Sequence, residues 1–146
     1  MSLESAAIEI LLVEDDPSDA ELTLRSLGRI ANPIRNLEDG EEALELLFSS
    51  GRYAGQAAPR PRAVFLDIKL PRLDGLEVLR RLKADPRTRP IPVIMLTSSR
   101  EESDLVHSYD LGANSYIVKP VDFDKFSASV AQLGLYWLLL NERPQR

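Results

Sequence analysis

Five polar side chains in this sequence stand where a short apolar run ends. An apolar run bounded by polar or turn-forming residues is typical of a strand buried on both faces of a parallel sheet. In open parallel sheets, ligands bind at the edge formed by the carboxyl ends of the strands. We therefore expect one site to contain Glu14, Asp15, Asp67, Thr97 and Lys119.

The residue types at this edge predict metal-assisted phosphoryl transfer. Crowded carboxylates repel one another and lose hydration, and a hard divalent cation relieves both effects. Mg²⁺ prefers oxygen ligands, so Glu14, Asp15 and Asp67 are the predicted metal ligands. With the metal bound, Asp67 is expected to attack a phosphoryl donor and form an acyl phosphate. Lys119 would supply a cation for the phosphoryl oxygens, and the Thr97 hydroxyl would bond to one of them.

The elements that must position these residues follow from an alternating pattern. The predicted strands are 8–13, 34–37, 63–66, 93–96 and 115–118; the first is apolar except for Glu9, and 34–37 is a short, weak strand expected at an edge. Helical segments with capping signals near Asp16, Asp39, Asp74, Ser99 and Asp122 follow them. This alternation predicts an α/β fold, in which a five-stranded parallel sheet carries helices on both faces. The flavodoxin-like order 2-1-3-4-5 is natural for five units and puts strands 1, 3 and 4 at the centre.

Composition and length limit the alternatives. A net charge of −5 without a basic tract argues against nucleic acid or an anionic membrane as the main partner. Cysteine is absent, which excludes disulfides and fits a cytoplasmic location. No signal peptide is recognised, and the apolar run 135–140 is too short to span a bilayer. We expect a single domain over 1–146, with a core at about 8–133 and a C-terminal helix extension at about 134–142.

Six short motifs together resemble the receiver domain of two-component response regulators over residues 8–133. They are LVEDD at 12–16, FLDIKLP at 65–71, LDG at 73–75, MLTS at 95–98, GA at 112–113 and YIVKP at 116–120. The resemblance implies that Asp67 is the phosphoacceptor. It also implies that Glu14 and Asp15 hold Mg²⁺, with the Lys69 main-chain carbonyl as a further ligand.

The same resemblance assigns the signalling residues. It makes Thr97 and Tyr116 a switch pair and matches Lys119 to the lysine that receiver domains carry after their fifth strand. The first acid of the metal pair is Glu14 rather than aspartate, a departure that leaves its metal role in place. A receiver of this kind is a phosphorelay protein that catalyses only its own phosphorylation and dephosphorylation.

A closer resemblance is to small stand-alone receivers that serve phytochrome-type histidine kinases. It rests on DPSDA at 16–20, KADP at 83–86, IPV at 91–93 and LGLYWL at 133–138. The expected partner is therefore a sensor histidine kinase. The apolar residues of 135–140 point in every direction of a helix, so a second copy of the chain or a partner kinase should cover this tail, unless the tail is non-helical and folds back on its own domain. We expect a homodimer through the helix that begins near Ser99 (helix 4), strand 5, the helix that begins near Asp122 (helix 5) and this tail.

Three other functions fit parts of the pattern. An aspartate-nucleophile phosphatase would carry a second aspartate two residues after Asp67, where this chain has Lys69. A flavodoxin-like cofactor binder would carry a phosphate loop after the first strand, where Glu14 and Asp15 would repel phosphate. A receiver that serves only as a phosphorylation-independent dimerisation module remains compatible with the sequence.

Overall fold

The computed structural model describes residues 10–28, 33–98 and 110–119, together with Ile8, His107 and Asp124. The strands in this part are β1 (Ile10–Val13), β2 (Ile34–Leu37), β3 (Ala63–Asp67), β4 (Val93–Thr97) and β5 (Ser115–Val118). The α-helices are α1 (Pro17–Leu27), α2 (Gly40–Phe48) and α3 (Gly75–Ala84), and a 3-10 helix covers Gly51–Tyr53. The predicted helices after Ser99 and Asp122, and the C-terminal extension, lie outside the described residues.

All five strands are parallel and lie in the order β2-β1-β3-β4-β5, so the predicted flavodoxin-like sheet is confirmed. The register aligns the strand ends. Val13 pairs with Leu66, and Asp67 pairs with Leu96. As a result Glu14, Asp67 and Thr97 come out at one edge of the sheet.

Both faces of the sheet are covered, which explains why the central strands β1, β3 and β4 are buried along their whole length and mostly apolar rather than alternating. One face packs with α2 and α3 around a core that includes Leu11, Val13, Val64, Leu66, Met95, Leu47 and Leu79. The other face packs with α1 around a core that includes Ile10, Leu12, Phe65, Leu96 and Leu27. Along β1, β3 and β4, successive apolar side chains alternate between these two cores.

The first three helices begin at aspartate caps, as the sequence predicted. Asp16 accepts a hydrogen bond from the Asp19 N–H, Asp39 from those of Glu41 and Glu42, and Asp74 from that of Glu77. Pro17 occupies the start of α1, where a missing N–H has no cost. Each cap follows a strand end, so the positive ends of α1, α2 and α3 all lie on the side of the sheet where the polar residues converge.

The strand pairing includes the polar residues at the ends of two strands. Asp67 and Thr97 are the last residues of β3 and β4, as expected from their place at the ends of these apolar runs. Between α2 and β3, the chain forms the 3-10 helix Gly51–Tyr53. Tyr53 anchors that helix: its hydroxyl donates to Glu42 Oε2 at 2.6 Å and accepts from Arg35 at 2.9 Å.

Candidate functional site

Three carboxylates meet at the carboxyl edge of the central strands. One oxygen each from Glu14, Asp15 and Asp67 lies within 4.8 Å of the others. Glu14 is fully buried and Asp67 is 3% exposed, whereas Asp15 faces solvent. Adjacent pairing of β1 and β3 is what puts Glu14 beside Asp67. The structure therefore brings the three predicted carboxylates together.

Lys119 reaches into this cluster from the end of β5. Its Nζ lies 3.1 Å from Glu14 Oε1 and 3.1 Å from Asp67 Oδ2. Its main-chain N–H donates to the Thr97 carbonyl at 2.7 Å, which fixes the base of the side chain at the end of the sheet. From that point the side chain passes the end of β4 to reach the carboxylates of β1 and β3.

Burial and charge shift the pKa values of Glu14 and Lys119. Burial raises the pKa of Glu14 from its usual 4.5 to about 7, and the negative charge of Asp67 adds to this rise. The Asp16 N–H, 3.1 Å from Glu14 Oε2, and the Lys119 ammonium oppose it. Burial would lower the pKa of Lys119, but hydrogen bonds and charges from its carboxylate partners outweigh burial and raise that pKa.

The donor set fits a hard divalent cation. Three carboxylates face a single ammonium, so the cluster is left with excess negative charge that a cation would neutralise. All the donors are oxygens, and the exposed Asp15 leaves one side open to water. Mg²⁺ usually binds through one or two carboxylates and keeps several waters, which matches this arrangement.

Lys69 contributes its main chain rather than its side chain. Its N–H donates to Asp67 Oδ1 at 3.3 Å, and the residue is exposed. The loop that follows β3 therefore begins alongside the Asp67 carboxylate. This placement is consistent with the Lys69 main-chain carbonyl as a ligand.

Thr97 and Tyr116 lie on neighbouring strands. Thr97 is 3% exposed at the end of β4, and Tyr116 is half-buried in β5, opposite Met95. Tyr116 packs against the core formed with α2 and α3. The structure thus places the two residues close in the sheet but at different depths from its edge.

The structure adds Asp19 and Gly75 to the predicted residues. Asp19 Oδ2 lies 3.0 Å from the Lys119 ammonium, and the signal for it was its place in the first turn of a helix that starts at the site. A Cβ at Gly75 would overlap the carbonyl oxygen of Asp67, because the start of α3 is pressed against the end of β3. The signal for Gly75 was its place in the LDG motif.

This fold and site define a class of protein. It is a doubly wound α/β domain that has a cluster of carboxylates able to bind a metal ion and a buried lysine beside the aspartate at a strand end. The chain belongs to the response regulator receiver domain family, whose model matches residues 10–131. It is a receiver-domain signalling protein. Phosphorylation on an aspartate is typical of this family, and receiver domains partner histidine kinases.

Two curated relatives match over most of their length. The probable methanogenesis regulatory protein FilR2 of Methanothrix harundinacea is 39% identical over 92% of this chain and 86% of its own. Response regulator Rcp1 of Synechocystis is 37% identical over 88% of each chain. The names of these two relatives indicate different signalling systems. The similarity therefore shows that they share a domain with this chain, and it does not identify the signal.

Several solved structures of response regulators are also similar to this chain. The bacteriophytochrome response regulator AtBRR is 52% identical, with a TM-score of 0.76, over 91% of this chain and 96% of its own. The Mn²⁺-bound form of Rcp1 is 34% identical, with a TM-score of 0.77, over 93% of this chain and 98% of its own. The phosphorylated cyanobacterial phytochrome response regulator RcpA is 35% identical, with a TM-score of 0.77, over 95% of this chain and 100% of its own. The chain is thus homologous to stand-alone phytochrome response regulators.

In the part of the chain that the structure describes, no helix is both long and apolar enough to cross a membrane.

Proposed function

We propose that this protein is a single-domain response regulator that accepts a phosphoryl group on Asp67 from a histidine kinase, with Mg²⁺ as cofactor. One observation carries the proposal. Asp67 lies buried at the end of the central strand, close to the carboxylates of Glu14 and Asp15 and in contact with the ammonium of Lys119. A nucleophile, a cation site and a fixed positive charge are therefore within reach of one phosphoryl group.

The phosphoryl transfer to Asp67 is an in-line displacement. An oxygen of the Asp67 carboxylate forms a bond to phosphorus as the bond between phosphorus and the kinase histidine nitrogen breaks, and the nitrogen keeps the electron pair. When bound at Glu14, Asp15, Asp67 and the Lys69 carbonyl, Mg²⁺ would neutralise charge on the phosphoryl oxygens. Lys119 holds a further oxygen through a charge-assisted hydrogen bond.

The identity of the metal rests on the donor chemistry. Carboxylate and carbonyl oxygens suit Mg²⁺ and Mn²⁺ alike, and the neighbour Rcp1 is known in an Mn²⁺-bound form. Mg²⁺ is proposed because an open site with few carboxylates leaves room for the waters that it keeps.

The output follows from a local change of charge. The phosphoryl group draws the Thr97 hydroxyl inward, Tyr116 changes rotamer, and the face made of helix 4, β5 and helix 5 changes its affinity for a partner. This is a shift between two conformations that a new charge biases. The protein is proposed to act as a switch that catalyses only its own phosphorylation and dephosphorylation.

The proposed partners are proteins, not nucleic acid or membrane. The kinase is proposed to be phytochrome-type, because structural neighbours include response regulators of phytochromes and a bacteriophytochrome. A homodimer is proposed through the face of helix 4, β5 and helix 5 and through the apolar extension at about 134–142. We place the protein in the cytoplasm, as one domain over 1–146 with its core at about 8–133.

The test is intact-mass spectrometry after incubation with acetyl phosphate, with and without Mg²⁺. Wild type is expected to gain one phosphoryl group only with Mg²⁺, and Asp67→Asn is expected to gain none. Asp74→Asn is a matched control, because Asp74 is an exposed aspartate whose helix-capping role asparagine can take over.

Two results would contradict the proposal. One is phosphoryl uptake by Asp67→Asn equal to that of wild type. The other is a wild type that neither takes up phosphate nor binds beryllofluoride, and this would favour the phosphorylation-independent interaction module. The dimer is tested separately, by light scattering with and without beryllofluoride.

A further inference from the structure

The loop between β3 and α3 contains a strained turn next to the site. The N–H of Leu73 donates to the carbonyl of Pro71 at 2.7 Å, and Arg72 between them has a φ of 62°. A three-residue turn with a positive φ at its central residue is rare. A side chain other than glycine in the left-handed region persists only where the surroundings hold it.

An ion pair holds the strained residue. The Arg72 guanidinium contacts Oδ2 of Asp39, the residue that caps α2. The other oxygen, Oδ1, accepts hydrogen bonds from the N–H groups of Glu41 at 2.7 Å and Glu42 at 3.3 Å. One carboxylate therefore caps a helix with one oxygen and binds the loop with the other, which fixes the orientation of Asp39.

Tight packing adds to the ion pair. A Cβ at Gly40 would lie 2.6 Å from the Leu73 carbonyl oxygen and 2.7 Å from Val78 Cγ2, so the start of α2 touches both the loop and α3. The far end of the loop is closed as well, because the Gly75 N–H donates to the Ile68 carbonyl at 2.8 Å. The loop is thus held at Arg72 and at its two ends.

The beginning of the same loop is part of the site. Lys69 lies two residues after Asp67, and its N–H donates to Asp67 Oδ1. Only Leu70 and Pro71 separate Lys69 from the strained residue. Whatever fixes Arg72 therefore limits where the main chain of Lys69 can lie relative to the carboxylates.

We infer that the Arg72–Asp39 ion pair is a positioning device for the metal site. It holds the loop in its strained conformation, so that the main chain of Lys69 stays beside Asp67 and Mg²⁺ binds more tightly. The inference rests on the proposed function, in that the carboxylate cluster must bind Mg²⁺. Arg72 acts through the loop and is not assigned a contact with metal or phosphoryl group.

The experiment titrates MgCl₂ into Arg72→Ala, Asp39→Ser and the double variant by calorimetry. Serine still caps a helix but is too short to reach Arg72. Each single variant is expected to weaken Mg²⁺ binding about two- to fivefold, the range of an exposed ion pair, because the Arg72 side chain is 65% exposed. The double variant is expected to lose no more than either single variant, because both changes remove the same contact.

Three further measurements separate positioning from general structural damage. Arg72→Gly should bind Mg²⁺ more tightly than Arg72→Ala, since glycine adopts a positive φ without steric cost. The Leu70 amide nitrogen is bonded to the Lys69 carbonyl carbon, so its NMR shift on adding Mg²⁺ should shrink in Arg72→Ala. Arg81→Ala is the matched control, because it removes another exposed arginine, paired with Glu77 on α3, and should leave Mg²⁺ affinity unchanged.

The possible results are distinguishable. If wild type binds Mg²⁺ and Arg72→Ala binds it equally well, the inference is wrong and the proposed function stands. A loss of affinity in Arg81→Ala equal to that in Arg72→Ala would also overturn the inference. If wild type itself does not bind Mg²⁺, the metal site of the proposed function fails and the inference fails with it.

Discussion

The Nζ of Lys119 lies 3.1 Å from Asp67 Oδ2, and the side chains of both residues are almost completely buried. The same ammonium also contacts Glu14, which is fully buried. Water screens these charges poorly, so the lysine is the main compensation for two enclosed carboxylates. The contact makes the stability of the metal-free protein depend on the residues of the site.

Replacement of Lys119 by methionine should therefore destabilise the metal-free protein. Breaking a buried ion pair by removing one partner costs about 3–5 kcal/mol, because the other charge is left uncompensated. We expect urea unfolding to show a loss of this order without Mg²⁺ and a smaller loss with it. Lys69→Met is the control, since the Lys69 side chain is exposed, and its stability should stay within about 0.5 kcal/mol of wild type. Equal losses of stability in Lys119→Met and Lys69→Met would contradict a stabilising role for the buried Lys119 ion pairs.

The raised pKa of Glu14 predicts how stability changes with pH. The pKa of this carboxyl is about 7 in the folded protein against a usual 4.5, so the folded state binds the proton more tightly than the unfolded state. The stabilisation is fully present below about pH 4.5 and is lost as pH rises through 7. Metal-free wild type should thus become less stable, relative to Glu14→Gln, between pH 5 and pH 7.5. The measurement is the urea midpoint of both proteins across this range.

Added Mg²⁺ should reverse this trend, because a cation favours the ionised carboxylate. Stabilisation of wild type by Mg²⁺ should therefore increase from pH 5 to pH 7.5. If the difference in stability between metal-free wild type and metal-free Glu14→Gln stays constant from pH 5 to pH 7.5, the pKa of Glu14 is not raised.

Gly75→Ala should damage both the fold and the site. The new methyl group would overlap the Asp67 carbonyl oxygen, so α3 or the end of β3 must move. We expect a loss of about 3 kcal/mol or more in urea unfolding, the range of severe steric substitutions, together with slower phosphoryl uptake. Gly55→Ala is the control, because Gly55 has a φ of 86° but open space around its Cα. It should lose only about 1 kcal/mol, from backbone strain, and keep normal uptake.

Thr97→Val should separate phosphorylation from switching. Valine keeps the shape of the buried side chain and removes the hydroxyl that is proposed to bond to the phosphoryl group. Asp67 should still gain a phosphoryl group with Mg²⁺, whereas the NMR shift of the Tyr116 ring on adding beryllofluoride should be lost. Thr88→Val is the control, because the Thr88 hydroxyl is buried and donates at 2.7 Å to the carbonyl of Leu82, in the last turns of α3. It should lower stability and preserve the Tyr116 response.

The sheet and its polar edge were predictable because they depend on strong, local patterns. Continuous apolar runs separated by helical segments predict a parallel sheet, and the strand order then brings the residue after each run to one edge. Asp19 and Gly75 were less predictable. Their importance depends on how closely α1 and α3 approach the ends of the strands, which is set by the packing of both helices on the sheet.

By itself, the sequence determined the fold class, the strand order, the caps of the three described helices and the acidic and basic side chains expected at the sheet edge, because each follows from residue type and short-range spacing. Only the tertiary structure decided which of these side chains are in contact. The ammonium of Lys119 meets Asp67 and Glu14 across 52 and 105 residues of chain, and Arg72 meets Asp39 from a separate loop. Such contacts depend on side-chain directions and on packing to within an ångström, and no short-range pattern in the sequence contains that information.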